Sequence, residues 1–381
     1  MTDSIEPFDV QVPDAVLDDL RERLARTRWP DQIEGAGWDY GTERGTLQAL
    51  CEYWRTEFDW RRVEKELARY EQCATTIDGQ RIHFLHARSP HPGALPLVIT
   101  HGWPGSILEF LKVVGPLADP VSHGGEARDA FHVVCPSIPG YGFSEPTRTR
   151  GWDVQRVAEA WIELMGRLGY SRYGAQGGDW GALITTQIGR LDPESCAGIH
   201  LNMAIALPPS DGPTLSEKES GWVAELAAFQ AGETGYQQIQ ATKPQTLGYG
   251  LTDSPAGLAG WILEKFRTWS DCGGDVLSTF TKDELLANIT LYWVTGCINS
   301  SLRMYYETMK SGRIGVTQGK IDVPSGIAIF PKEIYKPPRA WAERVYRVTH
   351  WSEFEKGGHF AAMEQPAAFV KDVREFFRTL R

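Results

Sequence analysis

Hydrophobic positions change their period along this chain, and the changes mark out its parts. Over residues 13–28, Leu17, Leu20 and Leu24 recur among acidic and basic residues, which predicts an amphipathic helix burying one stripe. A second helical pattern covers residues 45–70 through Leu47, Leu50, Tyr53, Trp54, Phe58, Trp60, Val63 and Leu67. Trp29, Trp38, Trp54 and Trp60 crowd into this span, as expected of an arm held on a surface by aromatic rings. At Cys73 the period falls to two. Residues 75–77 and 81–86 flank Asp78-Gly79, a turn pair that predicts a hairpin. Residues 95–100, 131–135 and 197–201 are short apolar runs, the pattern of strands covered on both faces. A helical pattern over 154–168 and another over 182–189 lie between them, so strands alternate with helices and a parallel sheet is expected.

Beyond Asn202 the strand pattern disappears. Residues 217–230, 258–268 and 282–310 read as helices, strands return at 324–330 and 344–349, and a helix over 366–380 closes the chain. The fold class is therefore α/β, a mostly parallel sheet flanked by helices. Its expected parts are an N-terminal helical arm (1–72), a core (73–205 and 315–381) and an inserted helical cap (206–314). The sequence contains no internal repeat and no low-complexity segment.

Composition narrows the function without identifying it. With 381 residues, 42% of them hydrophobic, the chain can bury a large core. A formal net charge of −10 and the lack of any basic run argue against a nucleic-acid partner, whose phosphates need clustered Lys and Arg. Cys51, Cys73, Cys135, Cys196, Cys272 and Cys297 lack C-x-x-C spacing and read as small core residues, not as a zinc site or disulfide framework. His83 and His86 stand three apart in a strand and face opposite ways, so they cannot share a metal. Neither a signal-like apolar stretch near Met1 nor an apolar run near the ~18 residues of a membrane span is present, so a cytoplasmic protein without membrane anchor is expected.

The chemistry centres on Gln176-Gly-Gly-Asp-Trp-Gly181. A short strand leads into it and an apolar helix follows, the form of a nucleophile elbow, in which small residues permit a tight strand-to-helix turn. The exposed position is Asp179, where esterases carry serine. A carboxylate is already ionised near neutral pH, so Asp179 can attack a strained or activated carbon directly, and its first product would be an alkyl ester. In parallel sheets ligands bind beyond the carboxyl ends of the strands. That rule selects Glu333 after the strand ending at Phe330, and His359 in Glu355-Lys-Gly-Gly-His-Phe360, giving the chain order nucleophile, acid, histidine. Asp322 is the rival acid, but it precedes its strand; His350 is the rival base, at a strand end. The turn His101-Gly-Trp-Pro-Gly-Ser106 also follows a strand, and the Trp103 and Trp180 backbone N–H groups are the expected oxyanion hole. Gly140-Tyr-Gly-Phe-Ser144 reads as a structural loop at the same edge.

Taken together, Arg28-Trp-Pro-Asp31, Tyr53-Trp54, Phe58-Asp-Trp-Arg61, Ile82-His-Phe-Leu-His86, His101-Gly-Trp-Pro-Gly-Ser106, the elbow and Gly357-Gly-His-Phe-Ala-Ala362 resemble the microsomal-type epoxide hydrolases over nearly the whole chain. The resemblance implies an α/β-hydrolase core, a helical cap wrapped by the arm, and two cap tyrosines that activate the epoxide oxygen. These fall on Tyr236 and Tyr305, with Tyr306 the neighbouring alternative; nothing else singles them out from the 13 tyrosines. Glu333, in Phe330-Pro-Lys-Glu333, matches the family's acid position. The expected reaction opens an apolar or aromatic epoxide to a vicinal diol, with water as co-substrate and no metal or organic cofactor. A homo-oligomer remains open, as does a role in detoxification or in natural-product (antibiotic) tailoring. The rival readings are a haloalkane or haloacid dehalogenase using the same elbow aspartate, and a degenerate hydrolase fold serving as a binding protein.

Overall fold

The computed structural model describes residues 4–208, 212, 214–313 and 319–381. One nine-stranded sheet runs through it. Its strands are β1 (Glu6–Pro7), β2 (Glu71–Ile77), β3 (Gln80–Ala87), β4 (Leu95–Thr100), β5 (Phe131–Pro136), β6 (Tyr173–Gly177), β7 (Cys196–Leu201), β8 (Ile321–Ile329) and β9 (Tyr346–Glu353), in the order β1-β2-β3-β5-β4-β6-β7-β8-β9. The first four of that order pair antiparallel, and β5 through β9 pair parallel. The hairpin β2–β3 turns at Asp78-Gly79 with φ of 49° and 72°, as the turn pair predicts. β1 is too short for any hydrophobic period to announce it.

The apolar strands are covered on both faces, as their unbroken hydrophobic runs require. Val98 of β4 joins one buried cluster with Val157, Trp161 and Leu164, while its neighbours Leu97 and Ile99 join the other with Val113, Leu117 and Phe369. Register then aligns the carboxyl ends. Thr100, Gly177, Leu201 and Ile327 stand in one row across β4, β6, β7 and β8. Loops leaving that row share one edge of the sheet, where ligands collect in parallel α/β folds.

Several helices depart from the expected spans. The stretch read as one helix over 45–70 is two, Arg44–Thr56 and Trp60–Leu67, because the Asp59 side chain accepts the Arg61 N–H and caps a new start. Likewise the pattern over 282–310 divides into Lys282–Thr295 and Ile298–Ser311, with Gly296 left-handed at φ 62° ending the first. Helices Gly235–Thr242 and Pro244–Asp253 carry too weak a stripe to be read, and a helix Arg339–Val345 occupies what reads as the start of β9. β8 starts at Ile321, with Pro324 tolerated at a register shift.

The N-terminal helices and the loop between them hydrogen-bond to the helical segment. Trp54 Nε1 donates to Thr290 Oγ1 at 2.8 Å in a buried contact, Tyr53 donates to Asp283 at 2.9 Å, and Thr42 donates to the Gly260 carbonyl at 2.6 Å. The helical segment in turn grips loops at the carboxyl edge. Asn288 bonds both Ser106 (2.7 Å) and the Pro104 carbonyl (2.8 Å), Tyr292 bonds the Gly105 carbonyl (2.8 Å), and Ser300 bonds the Gly140 carbonyl (2.6 Å).

Candidate active site

The elbow is built from close approaches that only glycine tolerates. A Cβ at Gly177 would lie 2.1 Å from the Gly181 carbonyl oxygen, and one at Gly181 would lie 1.9 Å from that of Thr100. Between them Asp179 sits at φ 50°, ψ −128°, outside the ordinary regions for a residue with a side chain, a strain of ~1–3 kcal/mol held by its surroundings. It occupies the N-cap of the helix Trp180–Leu191, where unpaired N–H groups favour negative charge.

Each carboxylate oxygen of Asp179 has its own neighbour. Oδ1 accepts the Trp103 N–H at 2.8 Å, and Oδ2 lies 3.5 Å from His359 Nε2. Gly102 makes the first contact possible, since a Cβ there would fall 2.2 Å from Asp179 Oδ1. The Trp180 N–H, the other expected oxyanion donor, starts its helix and has no acceptor within it. Among the described residues it forms no hydrogen bond to Asp179.

His359 follows Gly357, left-handed at φ 103°, and its N–H donates to the Trp269 carbonyl at 2.9 Å. Its Nδ1 meets Glu333 Oε1 at 2.7 Å, and the same oxygen accepts the Ile334 N–H at 2.7 Å. His359 thus stands between the two carboxylates, hydrogen-bonded to Glu333 and within ion-pair distance of Asp179. The rivals lie elsewhere: Asp322 is exposed at the start of β8, and His350 stands inside β9, bonded to Asp372 Oδ1 at 2.8 Å. Burial disfavours the His359 imidazolium. The Glu333 and Asp179 carboxylates on its two nitrogens outweigh that and hold its pKa well above the ordinary value.

Tyr236 and Tyr305 come to the same place from separate helices and are 7% and 3% exposed. The Tyr236 ring stacks on Trp103 at 5.3 Å, Tyr305 meets Trp180 edge-on at 4.6 Å, and the two tyrosine rings are 6.0 Å apart. Burial first, with the nearby Asp179 charge adding to it, raises both phenols above their usual range, so both remain hydrogen-bond donors. Tyr306 points elsewhere, under the Lys310 ammonium. A cavity of about 240 Å³ opens above Asp179, with Trp180, Leu183, Met203, Phe229, Tyr236, Tyr305 and Tyr335 in its wall. Of the aromatic residues in the expected cap, Trp222, Trp261, Phe266 and Trp293 are not in that wall, and Trp269 instead packs edge-on against His359 at 5.1 Å.

With this geometry, the comparisons with known proteins are decisive. Residues 5–110 match the epoxide hydrolase N terminus family, and residues 96–237 match the alpha/beta hydrolase fold family. A protein of Stigmatella aurantiaca named "Putative epoxide hydrolase" is 50% identical over 99% of this chain and 86% of its own length. The chain belongs to the microsomal-type epoxide hydrolase family. Epoxide hydrolase 1 of Oryctolagus cuniculus is 39% identical over 98% of the hydrolase and 89% of its own length. Among solved structures, juvenile hormone epoxide hydrolase from Bombyx mori superimposes with a TM-score of 0.90 at 33% identity, covering 99% of the hydrolase and 95% of that chain. Aspergillus niger epoxide hydrolase gives 0.89 at 31% identity, covering 99% and 97%. The enzyme is thus an epoxide hydrolase of α/β-hydrolase fold.

No helix is long and apolar enough to cross a membrane, and no cluster placed to hold a metal occurs, both among the described residues. His83 instead bonds Ser137 and Gln72, and His86 bonds Tyr170. Sequence reasoning missed the supports of the site, chiefly Asn288 and Tyr292 on the turn formed by residues 101–106 and the Trp269 carbonyl on His359.

Proposed function

We propose that the enzyme hydrolyses apolar or aromatic epoxides to vicinal diols through a hydroxyalkyl ester on Asp179. The observation that carries this reading is that Asp179 faces two buried phenols across an apolar cavity, while its other side faces a His–Glu pair. In the first half-reaction Asp179 Oδ2 attacks an epoxide carbon and the C–O bond breaks. Tyr236 and Tyr305 hydrogen-bond the oxygen as it gains charge, and it takes up a proton, with His359 as the net donor. Oδ1 becomes the ester carbonyl oxygen, already facing the Trp103 N–H.

Alkylation prepares the second half. It removes the Asp179 charge, one of the two that hold His359 protonated, so the imidazole becomes free to act as base. His359, oriented by Glu333, takes a proton from water. The hydroxide adds to the carboxyl carbon of Asp179, with Trp103 N–H and Trp180 N–H on the oxyanion. Collapse breaks the bond to the glycol oxygen, which takes the remaining acid proton. Asp179 returns as carboxylate and His359 as imidazolium. A halide leaving group would need no proton, and the two buried phenols would then have no task, so the dehalogenase reading is disfavoured. An intact line of Asp179, His359 and Glu333 likewise disfavours a mere binding protein.

The test is a His359→Gln variant treated with styrene oxide. It should form the ester and stall, adding the mass of one epoxide to the peptide that carries Asp179. Normal turnover without any adduct would overturn the scheme.

A further inference from the structure

Tyr236 is held by a neighbouring helix through two contacts one turn apart. In the helix Gly235–Thr242, Tyr236 and Gln240 stand four residues apart and share a face. In the helix Pro255–Trp269, Trp261, Lys265 and Trp269 follow the same spacing. Trp261 Nε1 donates to Gln240 Oε1 at 3.0 Å, and one turn on, Lys265 Nζ lies over the Tyr236 ring, 4.6 Å from its centre. The Trp269 ring, 5.2 Å from that of Tyr236, lies under the same ammonium at 5.7 Å. This helix is tied down at two points. Thr42 holds the Gly260 carbonyl in its first half, and the Trp269 carbonyl at its end accepts the His359 N–H.

A lysine at this buried position needs a physical reason, because an ammonium withdrawn from water is costly unless other groups replace the water. Among the described residues Glu264 is its one ion-pair partner, and the two aromatic faces take the place of water on its other sides. The pair is not neutral as seen from the phenol. The Glu264 carboxylate opposes the ammonium and strengthens the phenol's hold on its proton, but its side chain is 21% exposed against 7% for Lys265, so water screens it more. Among the described residues, the Tyr305 ring has the aromatic neighbours Trp103, Trp180 and Tyr236, and no cation over its face. The two phenols thus stand in different fields. Lys265 has no place in the wall of the cavity above Asp179, whereas Tyr236 borders both that cavity and the polar pocket that Lys265 helps to line.

We propose that Lys265 is a positioning residue for epoxide opening, which acts through Tyr236 by making its hydroxyl the stronger hydrogen-bond donor of the two. The proposal rests on the ester mechanism and on the task it gives the tyrosines. As the C–O bond breaks, the ring oxygen gains negative charge and draws the Tyr236 proton toward itself, so the phenol oxygen gains charge as well. An ammonium over the ring favours that redistribution, and it is in place before the epoxide binds. Once the ring oxygen has taken up its proton the charge is gone, and ester hydrolysis has no use for the ammonium.

Lys265→Met keeps an unbranched stem and removes the charge, whereas Lys265→Arg keeps a charge that can lie over the ring. Both are made in the wild-type chain and in Tyr236→Phe. Single turnovers on styrene oxide follow the ester on Asp179 by mass and the diol by chromatography. In the wild-type chain Lys265→Met should alkylate about tenfold more slowly, the order of one buried cation–π contact, and Lys265→Arg should recover most of that rate. In Tyr236→Phe, which has no hydroxyl to strengthen, Lys265→Met should change alkylation by less than about twofold. Hydrolysis of the ester should match wild type throughout. A tenfold loss that persists in Tyr236→Phe would show the ammonium acting without the phenol and would overturn the proposal. So would equal slowing of both steps, the mark of lost packing, or wild-type alkylation in Lys265→Met. These three outcomes leave the ester mechanism standing. If wild type forms no ester, the reading of Asp179 fails first; if Tyr236→Phe alkylates like wild type, the reading of Tyr236 does. Either takes this proposal with it.

Discussion

Replacing Tyr236 or Tyr305 by phenylalanine removes one hydroxyl and little else. The stacked contact of Tyr236 with Trp103 (5.3 Å, 8° between planes) and the edge contact of Tyr305 with Trp180 (4.6 Å) are made by the rings, so both variants should fold and melt close to wild type. In the proposed reaction, what is lost is a donor to an oxygen that gains charge only as the epoxide opens. Both hydroxyls belong to rings with less than a tenth of their surface exposed, where water cannot replace the missing donor. Removing one preorganised oxyanion donor costs ~10²–10³ in rate. Since two phenols share the charge here, each single variant should alkylate Asp179 about 10²-fold more slowly. The double variant should lose about 10⁴-fold, ~5 kcal/mol of transition-state stabilisation if the two act independently. Single-turnover measurement with enzyme in excess separates alkylation from ester hydrolysis. Hydrolysis of the preformed ester should be almost unchanged, because the tyrosines line the apolar cavity, whose wall does not include His359. Alkylation within about twofold of wild type in both single variants would refute the assignment of these tyrosines to the ring oxygen.

Two further predictions concern the scaffold. Asp372 is buried between His200 Nε2 and His350 Nε2, both at 2.8 Å, and ties the C-terminal helix Pro366–Arg378 to β7 and β9. Its carboxyl pKa is lowered, burial being overcome by the bonds from His200 and His350, so its stabilisation is present above the unfolded value of ~3.9 and is lost as pH falls below it. His350 is raised by Asp372, so its share is full below ~6.5 and is lost as pH rises through its folded value. Urea unfolding of Asp372→Asn should show lower stability at pH 6 and a flatter dependence between pH 6 and 8 than wild type; parallel pH curves would contradict this. Gly181→Ala should be destabilised by ~3 kcal/mol, because its Cβ would meet the Thr100 carbonyl at 1.9 Å and backbone cannot step aside. A melting temperature equal to wild type would show that the elbow is looser than described.

Local signals carried well where the chain itself holds the cause. Asp78-Gly79 fixes a hairpin by its own backbone, and an unbroken run such as 95–100 fits a strand covered on both faces. Asp179, Glu333 and His359 could be placed because one geometric rule, the carboxyl edge of a parallel sheet, acts on all three. The split near Phe58 was hidden because Phe58, Trp60 and Val63 keep the apolar stripe in phase across the break, although Asp59 before Trp60 is a cap signal in plain view. Helices Gly235–Thr242 and Pro244–Asp253 carry only Tyr236, Gln240, Gly248 and Leu251 as buried positions, too few for a stripe. Tyr236 and Tyr305 could be named only through family resemblance, since a buried phenol on a helix looks like any core aromatic. Asn288 had no local signal of its role. Asn288 acts 182 residues away on Ser106.

The central claim is that water attacks the carboxyl carbon of Asp179 and not the epoxide. One turnover in H₂¹⁸O, with enzyme in excess over styrene oxide, tests it directly. The account predicts that the diol of this first turnover carries no label and that the peptide containing Asp179 gains one ¹⁸O. A labelled diol together with an unlabelled Asp179 peptide would show direct attack by water and contradict it.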